Sequence, residues 1–161
     1  MAPPRTYRCE SIILSYTPLD EADLLVTMYT RDRGKVRAIG KGARRATSKL
    51  MGHLEPLTVV QMSMANGRRM DIISQAEVLQ SFSELKGDLD GISKGLYLAE
   101  LVDGFGAEDS PNPNLYQLMI DTLTVLQADT ESDMPLRFFE FHLLQVSGLM
   151  PELYHCVECR I

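Results

Sequence analysis

The chain has 161 residues, of which 45% are hydrophobic and 24% charged, a balance typical of a globular protein with one domain or two small ones. No window approaches about eighteen consecutive apolar residues, and the first residues lack the apolar region of a secretory signal, so we expect a cytoplasmic protein with no membrane partner. The net charge of −6 would exclude a polyanionic partner only if it were spread evenly along the chain.

Short runs rich in β-branched and aromatic residues recur between turn signals in the first half of the chain. They predict five strands, at Cys9–Tyr16, Leu24–Thr30, Lys35–Ile39, Leu57–Met64 and Met70–Ala76. The turn before the third strand ends in Gly34, which can adopt a positive φ, and Asn66-Gly67 between the last two strands is a strong hairpin signal. Five strands with these connections favour a closed barrel of the OB type over a sandwich, which needs about seven strands.

The second half of the chain has apolar residues at helical spacing. A first helix is predicted by Ile92, Leu96, Ala99 and Val102 and ends near Gly104. A second begins at Asn112-Pro113-Asn114 and carries Leu115, Leu118, Met119, Leu123 and Leu126. A third begins near Ser132-Asp133, ends at Gly148 and carries Leu136, Phe139, Leu143 and Val146. We therefore expect a small helical bundle with acidic outer faces, and an α+β fold for the whole chain.

The charges divide the chain at about the place where the apolar pattern changes. Residues 1–76 hold 12 of the 16 Lys and Arg against 7 of the 22 acids, a net of +5, and residues 77–161 hold 4 against 15, a net of −11. A polyanion suits the first part and would be repelled by the second. The sequence therefore predicts a nucleic-acid-binding OB-type barrel over residues 1–77 and a helical domain over residues 78–161.

Cations are concentrated on the third predicted strand and on the loop that follows it. Side chains alternate along a strand, so Lys35 and Arg37 are expected on the exposed face. The loop from Gly40 to Lys49 combines cations with glycines that permit close backbone approach. A phosphate backbone bound there would release counterions, which gives a salt-dependent and largely sequence-independent affinity. The candidate DNA-binding residues are Arg31, Arg33, Lys35, Arg37, Lys41, Arg44, Arg45, Lys49, Arg68 and Arg69.

The chain contains no motif of a known catalytic site. The sequence Gly40-Lys41-Gly42 lacks the spacing of a P-loop or of a dinucleotide-binding loop. His53 and His142 have no carboxylate or nucleophile at motif spacing. We therefore predict a protein that is not an enzyme.

Several motifs occur together and in order along almost the whole chain. They are Pro18-Leu19-Asp20-Glu21-Ala22-Asp23, Thr30-Arg31-Asp32-Arg33-Gly34-Lys35-Val36, Lys41-Gly42-Ala43-Arg44-Arg45 with Ser48-Lys49, Leu54-Glu55-Pro56-Leu57, and Gly148-Leu149-Met150-Pro151 before Cys156 and Cys159. In this arrangement the chain resembles the RecO family of bacterial recombination mediators.

The resemblance implies more than the residue pattern shows. It implies an N-terminal OB domain, a helical domain and a zinc-binding segment. It also implies a DNA repair and homologous recombination protein of the RecF pathway, associated with the bacterial nucleoid. Such a protein binds single- and double-stranded DNA, anneals complementary strands, and works with RecR and single-strand-binding protein to help load RecA.

The cysteines depart from the family pattern. A structural zinc ion needs four ligands, typically from two C-x-x-C pairs. Only Cys156 and Cys159 form such a pair here, and the chain ends at Ile161. We therefore expect a C-terminally truncated chain with a half site that holds no zinc tightly, whereas a full-length chain could bind Zn²⁺. Cys9 is expected to be a small buried residue of the barrel.

Two other interpretations of the basic half stay open. The barrel could be an OB-fold RNA-binding module of a translation-associated factor, which would prefer RNA through contacts with the 2′-hydroxyl. Alternatively, the chain could be a non-catalytic adaptor whose basic face binds an acidic segment of another protein. A solvated basic surface with no ligand is disfavoured, because eight cations lie against the single acid Asp32 between residues 31 and 49.

Overall fold

A computed structural model of the chain describes residues 6–159. In that range the strands are β1 (Thr6–Pro18), β2 (Leu24–Thr30), β3 (Gly34–Gly40), β4 (Val59–Ala65) and β5 (Asp71–Gln80). The helices are α1 (Ser83–Gly87), α2 (Leu89–Phe105), α3 (Pro113–Ala128) and α4 (Met134–Val146), and a 3₁₀ turn at Met51–His53 precedes β4. The predicted α+β fold with five strands and three long helices is confirmed, while the short helix α1 had no signal in the sequence pattern.

The five strands form a closed barrel in the order β1-β2-β3-β5-β4. All neighbours are antiparallel except β3 and β5, which are parallel and pair only at Ala38–Asp71 and Ile39–Ile72. This order is that of the predicted OB barrel. The β4–β5 loop spans residues 66–70, which is longer than the two-residue turn that Asn66-Gly67 indicates. β5 continues to Gln80, beyond the charge boundary at residue 77.

The helices pack directly on the outer wall of the barrel. In β1, Ile13 points into the barrel interior, whereas Ile12 and Leu14 belong to the apolar cluster that contains the buried faces of α2, α3 and α4. Leu57 belongs to the same cluster. The sequence pattern placed it in a strand, but it lies in the turn before β4 and has a φ of +60°. Because β1 is buried on both faces, the barrel and the helices share one apolar interface.

The buried face of α2 differs from the predicted one. Leu96 is 42% exposed, while Gly95, Leu98 and Val102 are buried. A Cβ on Gly95 would lie 2.5 Å from Cδ1 of Leu57, so the absent side chain lets the helix approach the barrel closely. An apolar-residue pattern cannot identify such a contact, because glycine contributes no apolar side chain to it.

The helices α3 and α4 follow their predicted apolar stripes. Asn112 begins α3 by accepting a hydrogen bond from the amide of Leu115 at 3.1 Å. Gly148 has φ +71° just after α4. The sequence predicted acidic outer faces for the helices. This prediction is wrong for α4, where Phe138 and Phe141 are 57% and 41% exposed. Within residues 6–159, no helix is long and apolar enough to cross a membrane.

Candidate nucleic-acid interface

The turn between β2 and β3 is closed by a threonine hydroxyl and packed against the segment after α2. Oγ1 of Thr30 accepts from the amide of Arg33 at 3.0 Å and donates to the carbonyl of Gly34 at 2.9 Å. Gly34 has the predicted positive φ, +73°, and a Cβ there would lie 2.3 Å from the carbonyl oxygen of Ser110. The position therefore requires glycine for both its conformation and its close neighbour.

Lys35 joins the barrel to α2. Its amide donates to the carbonyl of Ala107 at 3.0 Å, and its Nζ donates to the carbonyl of Asp103 at 2.6 Å. The ammonium also lies 3.1 Å from the Asp103 carboxylate, and the Lys35 side chain is only 13% exposed. The prediction that Lys35 lies on an exposed strand face is therefore wrong, because α2 and the segment after it cover that part of β3.

A groove of about 280 Å³ lies beside the short pairing of β3 with β5, and we call it the tyrosine groove. Its lining residues include Tyr7, Arg33, Lys35, Arg37, Arg69, Asp71, Glu108 and Asp109. The guanidinium carbon of Arg33 lies 4.2 Å from the centroid of the Tyr7 ring, within the range of a cation–π contact. The hydroxyl of Tyr7 donates to Asp71 at 2.5 Å, and burial together with that carboxylate raises the pKa of Tyr7. The phenol is therefore a neutral wall of the groove.

The acidic half of the chain contributes to the same groove. Nε of Arg37 lies 3.3 Å from Oε1 of Glu108, and both side chains are about half exposed. Glu108 and Asp109 belong to the segment between α2 and α3 that runs along β3. Carboxylates from this segment therefore compete with any external anion for the arginines of the groove.

The basic loop after β3 is docked on the β1–β2 turn. The amide of Gly42 donates to Oδ1 of Asp23 at 2.7 Å, and the amide of Arg44 donates to the carbonyl of Ala22 at 3.0 Å. Nη1 of Arg44 donates to the carbonyl of Asp20 at 3.0 Å. Two motifs that lie about twenty residues apart in the sequence thus form one structural unit, which holds the neighbouring Lys41 and Arg45 at the end of the barrel.

The remaining cations of the barrel separate into paired and unpaired groups. Arg31 lies 3.8 Å from Glu10 in a loose ion pair. Six exposed cations have no side-chain partner among residues 6–159: Arg8, Lys41, Arg45, Lys49, Arg68 and Arg69. Five of these six are among the sequence-predicted residues. Arg8 was missed, although its alternation with the buried Cys9 in β1 indicates an outward side chain.

The C-terminal cysteines lie apart from these cations. Cys156 and Cys159 are both exposed, and no group of three or more His, Cys, Asp or Glu residues among those described could hold a metal ion. Two thiolates are half of the ligand set of a structural zinc site. The described residues therefore do not fit a complete zinc site.

The closed barrel, its basic loops and the helices on its wall define the class of this protein: an α+β protein built on an OB-fold domain. Residues 1–82 match the family described as Recombination protein O N terminal. Residues 86–160 match the family described as Recombination protein O C terminal. The chain belongs to the RecO family.

Curated relatives agree with this assignment. A DNA repair protein RecO from Desulforamulus reducens is 39% identical over 155 residues, which cover 96% of this chain and 60% of the relative. The protein of the same name from Dehalococcoides mccartyi is 34% identical over 159 residues, covering 99% of this chain and 63% of the relative. The one from Roseiflexus sp. is 39% identical over 155 residues, 96% and 54% of the two chains. This chain thus spans about three fifths of the length of the curated relatives that it matches.

Proposed function

We propose that this chain acts in DNA repair and homologous recombination by binding the backbones of single- and double-stranded DNA. The observation that carries the proposal is the set of six exposed barrel cations without partners, defined above. Cations that already have a carboxylate partner contribute less, because the partner must be displaced before a phosphate can bind. A phosphate can bind without displacing a carboxylate at the unpaired cations, among them Lys41, Arg45, Arg68 and Arg69. The family and the names of its relatives support DNA, and not another polyanion, as the ligand of these cations.

The proposed mechanism is electrostatic and uses no catalytic group. Phosphates bound along the loop after β3 and the β4–β5 hairpin release counterions, which supplies the binding free energy. Neutralised strands repel each other less, so two complementary strands can approach and begin to pair. The helical half, with its excess of acids, is repelled by DNA and so leaves the barrel as the DNA-binding face.

The partners of this activity follow from the family resemblance and belong to the same proposal. RecR and single-strand-binding protein would act with this chain to load RecA on DNA in the bacterial cytoplasm, at the nucleoid. A longer chain with a second C-x-x-C pair would complete a Zn²⁺ site around Cys156 and Cys159. Such a site would be structural and would stabilise the segment after α4.

The test is a titration of a labelled single-stranded DNA with this chain by fluorescence anisotropy across a salt series. We expect the logarithm of the association constant to fall with the logarithm of salt, with a slope of about −0.7 for each phosphate contact. The triple variant Lys41→Ala, Arg45→Ala, Arg69→Ala should bind at least tenfold more weakly and show a smaller slope. Arg137→Ala removes an exposed cation that is paired with Glu140 in the helical half, and it should leave both quantities unchanged.

Three results would contradict the proposal. The triple variant could bind as tightly as the wild-type chain, which would separate the unpaired cations from DNA binding. An RNA of the same sequence could bind more tightly than the DNA, which would support the translation-associated module. Absence of binding to either nucleic acid at low salt, in a chain whose circular dichroism shows the folded barrel, would support the protein adaptor.

A further inference from the structure

A second groove, of about 370 Å³, lies on the outer face of β1, β4 and β5. We call it the glutamine groove. Its polar lining includes Arg8, Lys49, His53, Gln61, Ser63 and Gln75. It shares no lining residue with the tyrosine groove. Tyr7 and Arg8 are neighbours in β1, so their side chains leave the strand on opposite sides and serve different grooves.

The floor of the glutamine groove is a row of side chains across three strands. Arg8 of β1 is paired with Ser63 of β4, and Ser63 is paired with Gln75 of β5. The Cβ atoms of two directly paired residues lie about 5 Å apart on one face of the sheet, so Ser63 lies between Arg8 and Gln75. Gln61 adds a second amide two positions along β4, on the same face. An extended ligand crossing the strands would therefore meet a cation, a hydroxyl and an amide in succession.

The cations of the groove are available to a ligand. Arg8 and Lys49 are exposed and have no ion-pair or hydrogen-bond partner within residues 6–159. Gln61 and Gln75 likewise have no side-chain partner in the described part of the chain. Glu77 is the only carboxylate among the residues that line the groove. Lys49 comes from the basic loop, which brings its charge across to the face that carries Arg8.

The chemistry of the lining indicates the class of ligand. Two unpaired cations can bind phosphates, and uncharged amides and hydroxyls can donate to or accept from sugars and base edges. The lining contains no Phe, Tyr or Trp, and its one aromatic ring is the imidazole of His53. Binding there would therefore depend mainly on charge and hydrogen bonds. A single strand of nucleic acid satisfies both the charged and the neutral polar groups.

We propose that the glutamine groove is a second site for single-stranded nucleic acid, so that one chain holds two strands at once. This inference rests on the proposed function, in which the loop after β3 and the β4–β5 hairpin hold the first strand. Two strands held on one barrel are close enough to meet at its edge. Pairing then begins within a single protein chain and does not need a second copy.

The test counts bound strands. The probe is the hexanucleotide dT6, which is short enough to occupy one groove, since OB-fold sites span about 4 to 16 nucleotides. Native mass spectrometry at low salt should show two dT6 molecules per wild-type chain. Arg8→Ala with Lys49→Ala should leave one, and the triple variant Lys41→Ala, Arg45→Ala, Arg69→Ala should also leave one. The variant Gln61→Ala, Gln75→Ala keeps every charge and should weaken only the second binding step, by about threefold or more.

A matched annealing assay adds an independent measurement. The Arg8→Ala, Lys49→Ala chain should still bind a labelled strand but should anneal complementary strands at least fivefold more slowly, while Arg137→Ala should anneal at the wild-type rate. One dT6 per wild-type chain would overturn the second site and leave DNA binding by the first intact. Two dT6 molecules on the Arg8→Ala, Lys49→Ala chain would also overturn it. No dT6 on the wild-type chain would overturn the proposed function together with this inference.

Discussion

Nζ of Lys35 donates to the main-chain carbonyl of Asp103 at 2.6 Å and lies 3.1 Å from the carboxylate of the same residue. This contact joins β3 of the barrel to α2 of the helical half. It crosses the charge boundary near residue 77, so the excess of acids in the second half partly serves to bind the basic strand. Lys35 therefore differs from the unpaired cations of the basic stretch, because its charge already has a partner in Asp103.

Lys35→Met removes the charge and keeps most of the apolar stem. The free energy of unfolding should fall by about 1.5 to 3 kcal/mol, the usual contribution of a hydrogen bond to a charged group. Urea denaturation followed by circular dichroism measures this change. Lys49→Met, at an exposed lysine without a partner among the described residues, should change the stability by less than about 0.5 kcal/mol. Equal losses in the two variants would show that the Asp103 contact does not stabilise the fold.

Gly34→Ala should destabilise the junction between the β2–β3 turn and the segment after α2. The added Cβ would meet a backbone oxygen, the carbonyl of Ser110 at 2.3 Å, and φ is +73°. Backbone atoms cannot rotate away as a side chain can, so we expect a loss of at least about 2 kcal/mol in the free energy of unfolding. Gly52→Ala is the matched control, since nothing lies within 4 Å of its Cβ position. Thermal unfolding of both variants is the measurement, and a Gly34→Ala chain as stable as Gly52→Ala would contradict the close packing.

Glu108→Gln should strengthen DNA binding. The substitution removes the carboxylate 3.3 Å from Arg37 and frees that guanidinium for a phosphate. Exposed ion pairs contribute about 0.2 to 1 kcal/mol, so the dissociation constant should fall by about 1.5- to 5-fold. The same anisotropy titration measures it, and Glu131→Gln, an exposed acid in the α3–α4 connection, is the control. If both variants gained equally, net charge and not the Arg37 contact would be responsible.

The three cysteines should differ sharply in reactivity at pH 8. Burial raises the pKa of the Cys9 thiol to about 11, and the residue is 3% exposed. At pH 8, three units below that pKa, only about one Cys9 in a thousand is a thiolate. Backbone N–H groups of Cys159 and Glu158 lower the pKa of Cys156, and Cys156 and Cys159 are both exposed.

A thiol-specific chromogenic reagent should therefore modify two thiols per native chain quickly. The third should react only when urea unfolds the barrel, over the same urea range in which circular dichroism shows unfolding. Raising the pH from 7 to 9 should speed the fast phase, because the thiolate fraction of Cys156 rises. Three thiols that react quickly in the native chain would contradict the buried position of Cys9.

Local signals in the sequence were enough to predict much of the fold. The Gly34 turn, the Asn112 cap and the apolar stripes of α3 and α4 depend on residues within one or two turns of each other, so their spacing carries the information. The same signals failed at Leu96 of α2. There the helix face is decided by how closely Gly95 can approach Leu57, a residue far away in the chain.

In the candidate interface, too, some features were predicted from the sequence and others depend on contacts between distant residues. By itself, the sequence determined that the barrel half is basic, which loop carries the cations, and that Cys156 and Cys159 supply half of a zinc ligand set. Only the tertiary structure decided which cations are available: Lys35 and Arg37 meet Asp103 and Glu108, while Arg8 joins Lys49 in a groove. Charge counts cannot separate these cases, because the partner of a charge depends on which distant element the packing of the core brings within about 4 Å of it.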